Sequence, residues 1–229
     1  MLKYKNVCLL GSSHIALESV NQVEALISKI KPKIVALELD SKRLRALLSE
    51  KKQKTSIKDI RKIGLKGYFF NLIGSYIEKS LGKLSGVSPG SEMKKAFQLA
   101  HENNIKIALI DQDIDITLAK LSKRMTWKEK INFVFETILS LFFKTKADFD
   151  LKKVPHKKII KELTEEFRKK YPSFYLTLVV ERNEFMAKAL YNLMLHNKGK
   201  ILAIVGAGHE DSIVELLKCY SIKQKSNTL

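Results

Sequence analysis

Four short aliphatic runs, separated by segments of helical pattern, constrain the fold of this chain more than any other feature. They read NVCLL, IVALEL, KIALI and ILAIV, and they lie at Asn6–Leu10, Ile34–Leu39, Lys106–Ile110 and Ile201–Val205. None alternates apolar with polar residues, so each is predicted to be a strand buried on both faces. Strands that alternate with helices predict an α/β fold with a mainly parallel central sheet.

The helices that cover this sheet are predicted from amphipathic segments. Leu17–Ile30 places apolar residues on one face, and Ser91–Asn103 begins after a Pro-Gly pair. Longer segments predict a large helical insertion or cap, at about 51–90 and 121–196, within a single domain that spans 1–229. The insertion comprises helical patterns at Ile57–Leu84, Trp127–Phe143, His156–Lys170 and Phe174–Leu195.

The net charge restricts the partners but does not identify an activity. The 229 residues include 42 Lys+Arg and 24 Asp+Glu, a formal net charge of +18. The excess is concentrated in two middle stretches, 46–90 and 121–172, and no RNP-like motif, zinc finger or helix-turn-helix accompanies it. We therefore interpret it as a lysine-rich solvated surface and expect no nucleic-acid partner.

The cysteine count and the hydropathy pattern restrict the location of the protein. Two cysteines exclude a disulfide scaffold, and no uncharged apolar stretch reaches the roughly 18 residues needed to span a bilayer. No cleavable signal peptide is recognised. We expect a cytoplasmic protein, membrane-associated if the chain is part of a longer one. Ile131–Phe143 favours packing against the sheet or a partner, with peripheral contact to anionic lipid through flanking lysines as the alternative.

The two ends of the chain resemble each other. Each has a hydrophobic strand, then Gly-x-x-His, then an amphipathic helix, with His14 in GSSH and His209 in GAGH. Gly11, Gly206 and Gly208 are expected to permit a tight turn from strand to helix and to leave the backbone uncrowded. Two histidines at matched positions of a repeated unit indicate a shared role.

The carboxyl ends of the four predicted strands place further polar residues near these histidines. Glu38 ends the second strand, while Asp111, with Asp113 close behind it, follows the third. Ligands of open parallel sheets bind beyond this edge. Imidazole and carboxylate groups gathered there are a candidate ligand set for a divalent ion.

Other site chemistries fit the sequence less well. GAGHED lacks the third glycine of a dinucleotide fingerprint, and Glu210 and Asp211 disfavour an anion at that helix terminus. There is no Gly-x-Ser-x-Gly elbow, and Cys8 lies inside a predicted strand. Water activated by a metal ion or by histidine is therefore the favoured chemistry.

Four motifs in order resemble the TraB/PrgY domain, whose relatives include the Tiki-type metalloproteases. They are GSSHIALES with the following ELD strand end, PGSEM, ERNEFMAKAL and VGAGHEDSI. The resemblance implies a Tiki/erythromycin-esterase-like α/β fold with a metal-dependent active site. It assigns metal binding or base catalysis to His14, Glu38 and His209, with Glu92 of PGSEM as a further candidate. The ion would be Mn²⁺, Co²⁺ or Zn²⁺.

The same resemblance suggests roles for two arginines, Arg43 and Arg182. They would contact a substrate carboxylate or an oxyanion, or else form buried ion pairs that orient Glu38 or Glu92. Glu181, beside Arg182, is a secondary candidate with Asp111 and Asp113. The chain departs from the family pattern at Gln112, Lys120 and Ser212.

Two functions follow as hypotheses. The first is a metal-dependent hydrolase that cleaves peptide bonds in a peptide or protein substrate. The alternative is a non-catalytic module that binds or sequesters peptides, as PrgY-like members are associated with lower peptide-pheromone activity. Apolar residues of the predicted cap, namely Phe69, Phe70, Phe142 and Phe143, would form a substrate-covering or homo-oligomer surface.

Overall fold

The computed structural model of the protein describes residues 1–12, 17–49, 90–142, 165–166 and 168–226. Five strands are seen there: β1 (Leu2–Tyr4), β2 (Val7–Ser12), β3 (Ile34–Leu37), β4 (Lys106–Leu109) and β5 (Ile201–Gly206). The helices there are α1 (Leu17–Ile30), α2 (Ser41–Leu48), α3 (Ser91–Glu102), α4 (Ile114–Arg124), α5 (Trp127–Phe142), α6 (Pro172–Tyr175), α7 (Glu181–His196) and α8 (Glu210–Ser226). A π-helical stretch, Leu176–Val180, joins α6 to α7.

The strands form one sheet in the order β1-β2-β5-β3-β4. The pairs β2–β5, β5–β3 and β3–β4 are parallel, and β1 is antiparallel to β2. The predicted α/β fold with a mainly parallel sheet is therefore confirmed. Strand β1 was not predicted, because its three residues, LKY, carry too little apolar pattern to be recognised alone.

Helices cover both faces of the sheet. On one face, Val23 and Ile27 of α1 and Met93 of α3 pack with Leu37 and Leu202. On the other face, residues of α7 and α8 pack against β2, β3 and β5, among them Met186, Leu190, Ile213 and Leu217. All residues of β3 and β5 are buried, as expected for strands between two helical layers.

The sequence prediction was wrong for the burial of β4. Lys106 is exposed and the next three residues are only half-buried. Within the described residues, β4 is the outermost strand and pairs only with β3, so its second edge lacks the neighbouring strand that buries β3 and β5.

The two strand–helix units that carry Gly-x-x-His are neighbours in space. Strand β2 leads to α1 and β5 leads to α8, and the strands pair in parallel with Ser12 opposite Gly206. Their carboxyl ends therefore lie side by side. His14 itself lies outside the described residues.

The described part of the insertion is helical, as predicted. Leu121, Met125, Tyr171 and Phe174 form a small apolar cluster, against which Phe133 of α5 packs. The helices predicted at Ile57–Leu84 and over most of His156–Lys170 lie outside the described residues, as do Phe69, Phe70 and Phe143. No helix of the described ranges has both the length and the apolar character needed to cross a membrane.

Candidate active site at the carboxyl edge of the sheet

Glu38 lies at the centre of this edge, one residue beyond β3. Its backbone N–H donates to the carbonyl of Ile204 in β5, which draws it into the sheet next to the second Gly-x-x-His motif. One carboxylate oxygen, Oε2, accepts a hydrogen bond of 2.5 Å from the N–H of Gly206. The other, Oε1, accepts from Nη2 of Arg182. The structure thus fixes both oxygens of this buried side chain.

Arg182 enters the site from the first turn of α7 and links two strand ends. Besides Glu38, it holds Asp111, with Nη2 2.5 Å from Oδ2 and Nε 3.1 and 3.2 Å from the two oxygens. Its Nη1 donates to the carbonyl of Leu178 in the π-helical stretch, at 3.3 Å. Burial opposes ionisation, but the adjacent carboxylates of Glu38 and Asp111 outweigh it, and the pKa of Arg182 is raised. This arginine is therefore a fixed positive charge between two anions.

Asp111 receives a second guanidinium from the opposite side. Nη2 of Arg43 lies 2.6 Å from Oδ2 of Asp111, and Nε of Arg43 lies 2.5 Å from Asp40. The Asp111 side chain is fully buried. Burial alone would raise its pKa, but Arg182 and then Arg43 more than offset that effect and hold the pKa below its usual value. Asp111 is therefore an ionised, structurally paired carboxylate.

Asp40 explains why Arg43 points toward this site. Its side chain caps α2 by accepting from the N–H groups of Lys42 and Arg43, at 2.8 and 3.0 Å. The same carboxylate then accepts from Nε of Arg43, three residues along the helix. The cap therefore positions the guanidinium at the end of β4. We did not identify Asp40 from sequence, although a capping Asp before a helical run is a recognisable signal.

His209 occupies the turn between β5 and α8, as its motif predicts. Its N–H donates to the carbonyl of Gly206, and its own carbonyl accepts from Ile213 in the first turn of α8. Its Nδ1 lies 2.6 Å from Oδ1 of Asn183, and its Nε2 lies 3.5 Å from Oε1 of Glu38. The imidazole thus bridges α7 and the strand edge.

Asn183 determines which tautomer His209 adopts. An amide oxygen only accepts hydrogen bonds, so Nδ1 of His209 is the donor to Asn183, and in a neutral ring the lone pair is then on Nε2. Asn183 is buried in the first turn of α7, next to Arg182. Sequence reasoning missed it. Its position directly after the arginine of ERNEF was the one available signal.

Glu92 is buried on the first turn of α3, where it accepts a hydrogen bond of 3.1 Å from Oγ of Ser12. Ser12 ends β2, two residues before His14, and its carbonyl accepts from the N–H of Ala207. Glu92 is therefore tied to the strand end that leads into the first Gly-x-x-His motif. Arg182 holds Glu38 and Asp111, and Arg43 holds Asp40 and Asp111.

Two secondary candidates take part in surface interactions. Asp113 caps α4 and forms an ion pair with Lys42 at 3.0 Å. Because this aspartate is little buried, the hydrogen bond from Lys42 lowers the pKa of its side chain. Glu181 pairs with Lys120 at 3.0 Å and with Arg124 at 2.5 Å. Lys120, one of the departures from the family pattern, thus retains a basic partner for Glu181.

The structure gives Gly11 and Gly206 specific contacts at the strand ends. Gly11 lies inside β2, and a Cβ there would come within 3.1 Å of both Cα of Ala207 and Oε2 of Glu210. A side chain at this position would therefore need its neighbours to shift by a few tenths of an ångström. Among the described glycines only Gly90 has a positive φ, 81°, at the start of α3. Neither Gly206 nor Gly208 uses the left-handed conformation for the turn, and Gly206 contributes its N–H to Glu38.

Two of the three predicted metal ligands lie close together in the described residues. Nε2 of His209 is 3.5 Å from Oε1 of Glu38. No group of three His, Cys, Asp or Glu side chains within the described part of the chain has a geometry able to hold a metal ion. His14, the third predicted ligand, lies outside that part. The described residues therefore bring two of the three predicted ligands together and do not by themselves form a metal site.

Comparison with known proteins identifies the family. The model of the TraB/PrgY/gumN family matches residues 3–223. An uncharacterised protein of Methanocaldococcus jannaschii is 40% identical over 221 residues, which cover 93% of this chain and 53% of that protein. TraB domain-containing proteins of Mus musculus and Homo sapiens are 22% and 21% identical over 195 residues, or 80% of this chain and 51% of each relative.

The chain spans about half the length of these curated relatives. The family match nevertheless extends over nearly the whole chain and contains every motif on which the resemblance was based. This protein belongs to the TraB/PrgY/gumN family.

Proposed function

We propose that this protein is a metal-dependent hydrolase of the peptidase kind, with its active site at the carboxyl edge of the sheet. The observation that carries the proposal is the arrangement of His209. Asn183 accepts from Nδ1, so Nε2 of the neutral ring presents its lone pair to Oε1 of Glu38 at 3.5 Å. Metal-binding histidines characteristically donate their other ring nitrogen to an oxygen in this way.

The electrostatics of this pair support a cation between the two groups. A lone pair and a carboxylate oxygen repel each other at that separation, and the side chains of His209 and Glu38 are only 12% and 4% exposed. A proton or a metal ion removes the repulsion, because either is attracted to both groups. The site is therefore suited either to a metal ion or to a protonated histidine that acts as a general acid.

His209, Glu38 and His14 would hold the ion, and Glu92 would serve as a further ligand or a general base. A divalent ion bound there would lower the pKa of a water molecule and polarise a substrate carbonyl. Arg182 would keep Glu38 oriented, since its guanidinium already contacts that carboxylate. Arg43 would act one step further away, through Asp111.

A second candidate is a non-catalytic module that binds or sequesters peptides. The observation that favours it is that Glu38 already interacts through both oxygens, with Arg182 and with the N–H of Gly206. A carboxylate held through both oxygens suits a rigid binding surface. The two functions differ in whether the bound peptide is cleaved.

Metal analysis of protein purified without added metal tests the first proposal. We expect one equivalent of a divalent ion, lost in His209→Ala and in His14→Ala, and peptide cleavage lost in parallel. His196→Ala is the matched control, because His196 is exposed at the end of α7 and contacts only the carbonyl of Asn192 among the described contacts. Peptide binding without turnover in the presence of Mn²⁺, Co²⁺ or Zn²⁺ would instead establish the second candidate.

A further inference from the structure

Helix α5 has an apolar outer surface. Trp127, Ile131 and Phe135 are 79%, 64% and 61% exposed, and their spacing of four residues places them along one side of the helix. We call these three residues the α5 stripe. A surface helix of a soluble domain normally carries polar residues on this side. Within the described part of the chain, the α5 stripe is therefore a candidate docking surface.

The opposite side of α5 is attached to the rest of the protein. Phe133 packs against Phe174 with ring centroids 4.9 Å apart, and against Tyr171 at 6.1 Å. Glu129 accepts from the N–H groups of Thr126 and Ser173, at 2.9 and 2.8 Å. These contacts fix the rotation of the helix, so the exposure of the α5 stripe follows from packing.

Basic residues border the α5 stripe. Lys128 and Lys130 follow Trp127 closely in the sequence. Nζ of Lys130 lies 5.2 Å from the centroid of the Trp127 ring. The acidic residue of this turn, Glu129, is buried and engaged inward. Lys128 is exposed and Lys130 is half-buried, so the described border of the stripe carries positive charge.

We propose that the α5 stripe docks this protein on the surface of an anionic lipid bilayer. An amphipathic helix of this kind lies in the plane of the interface, with its aromatic and aliphatic residues among the acyl chains and its lysines at the headgroups. Charge complementarity favours this partner over a second copy of the chain, because two proteins of formal net charge +18 repel each other. The proposal is independent of the hydrolase site.

Trp127 provides a direct test, because it is the single tryptophan of the chain. Vesicles of phosphatidylcholine with about 30% phosphatidylserine are added to the full chain, and pure phosphatidylcholine vesicles serve as the comparison. We expect a blue shift of the tryptophan emission with the anionic vesicles, reduced as salt rises. An unchanged spectrum would overturn the proposal, as would a lipid-free blue shift that grows with protein concentration, which would indicate self-association.

Substitutions locate the contact. Ile131→Ser is expected to weaken vesicle binding about tenfold, because the variant no longer transfers an isoleucine side chain from water into the acyl region. Lys128→Ala and Lys130→Ala should each weaken it about fivefold at low salt. Ile222→Ser and Lys200→Ala are matched controls, because Ile222 is 68% exposed on α8 and Lys200 is exposed before β5. Equal losses in the controls, with circular dichroism unchanged, would contradict docking through α5.

Discussion

Arg182 donates hydrogen bonds to Asp111 from two nitrogens. Nε lies 3.2 Å from Oδ1 and 3.1 Å from Oδ2, and Nη2 lies 2.5 Å from Oδ2. The two residues are 71 positions apart, and the contact joins the first turn of α7 to the end of β4. Because the same guanidinium also holds Glu38, one side chain fixes two of the four strand ends that form the candidate site.

Removing Arg182 should destabilise the protein strongly. Arg182→Leu leaves the carboxylates of Glu38 and Asp111 buried without their shared counter-ion, and we expect a loss of about 3–5 kcal/mol in the free energy of unfolding. Arg182→Lys retains the charge but not the paired geometry, so its loss should be smaller. Urea denaturation measures both variants. Equal losses in the two would show that the charge contributes nothing.

The stability contributed by Asp111 should depend on acid pH. Its folded pKa lies below the ordinary value, so the contribution is complete above about pH 4, the unfolded pKa, and declines as the pH falls through the folded pKa. Asp111→Asn should be less stable than the native protein at pH 7, and the difference should narrow below about pH 4. Denaturation midpoints at a series of pH values provide the measurement, and a constant difference would contradict the assignment.

Asn183 should control the tautomer of His209. In the native protein we expect nitrogen NMR shifts of an Nδ1–H imidazole at neutral pH, since Nδ1 donates to Oδ1 of Asn183. Asn183→Asp keeps an acceptor and should keep the tautomer, whereas Asn183→Leu should lose it. If the metal proposal holds, Asn183→Leu should also reduce metal affinity by about 10–100-fold. An unchanged tautomer in Asn183→Leu would show that Asn183 does not select the tautomer of His209.

Gly11→Ala should separate β2 from the start of α8. The new Cβ would lie 3.1 Å from Cα of Ala207, which is backbone and cannot rotate away. We expect a destabilisation of about 1–3 kcal/mol. Gly90→Ala provides the comparison, because its cost of about 1 kcal/mol would come from a φ of 81°. Thermal denaturation compares the two, and a neutral Gly11→Ala would show that the turn relaxes freely.

Much of this architecture follows from local pattern. The four aliphatic runs mark β2, β3, β4 and β5 to within two residues at every end, because short apolar stretches of this kind favour strands. The convergence of Glu38, Asp111 and His209 could also be predicted, since the carboxyl ends of parallel strands meet at one edge. Helix α1 begins and ends where its apolar period and Pro32 indicate.

Contacts between residues far apart in the sequence determined the order of the strands and the pairing of side chains in the site. Strand β5 lies between β2 and β3, Arg182 contacts both Glu38 and Asp111, and Asn183 orients His209. These contacts join residues 26 to 194 positions apart. Pattern in the sequence specifies which side chains are buried and at which strand end. The sequence pattern does not specify which buried charged side chains form ion pairs, because this pairing depends on the order of the strands and the rotation of the helices. Those arrangements arise only when the whole core packs.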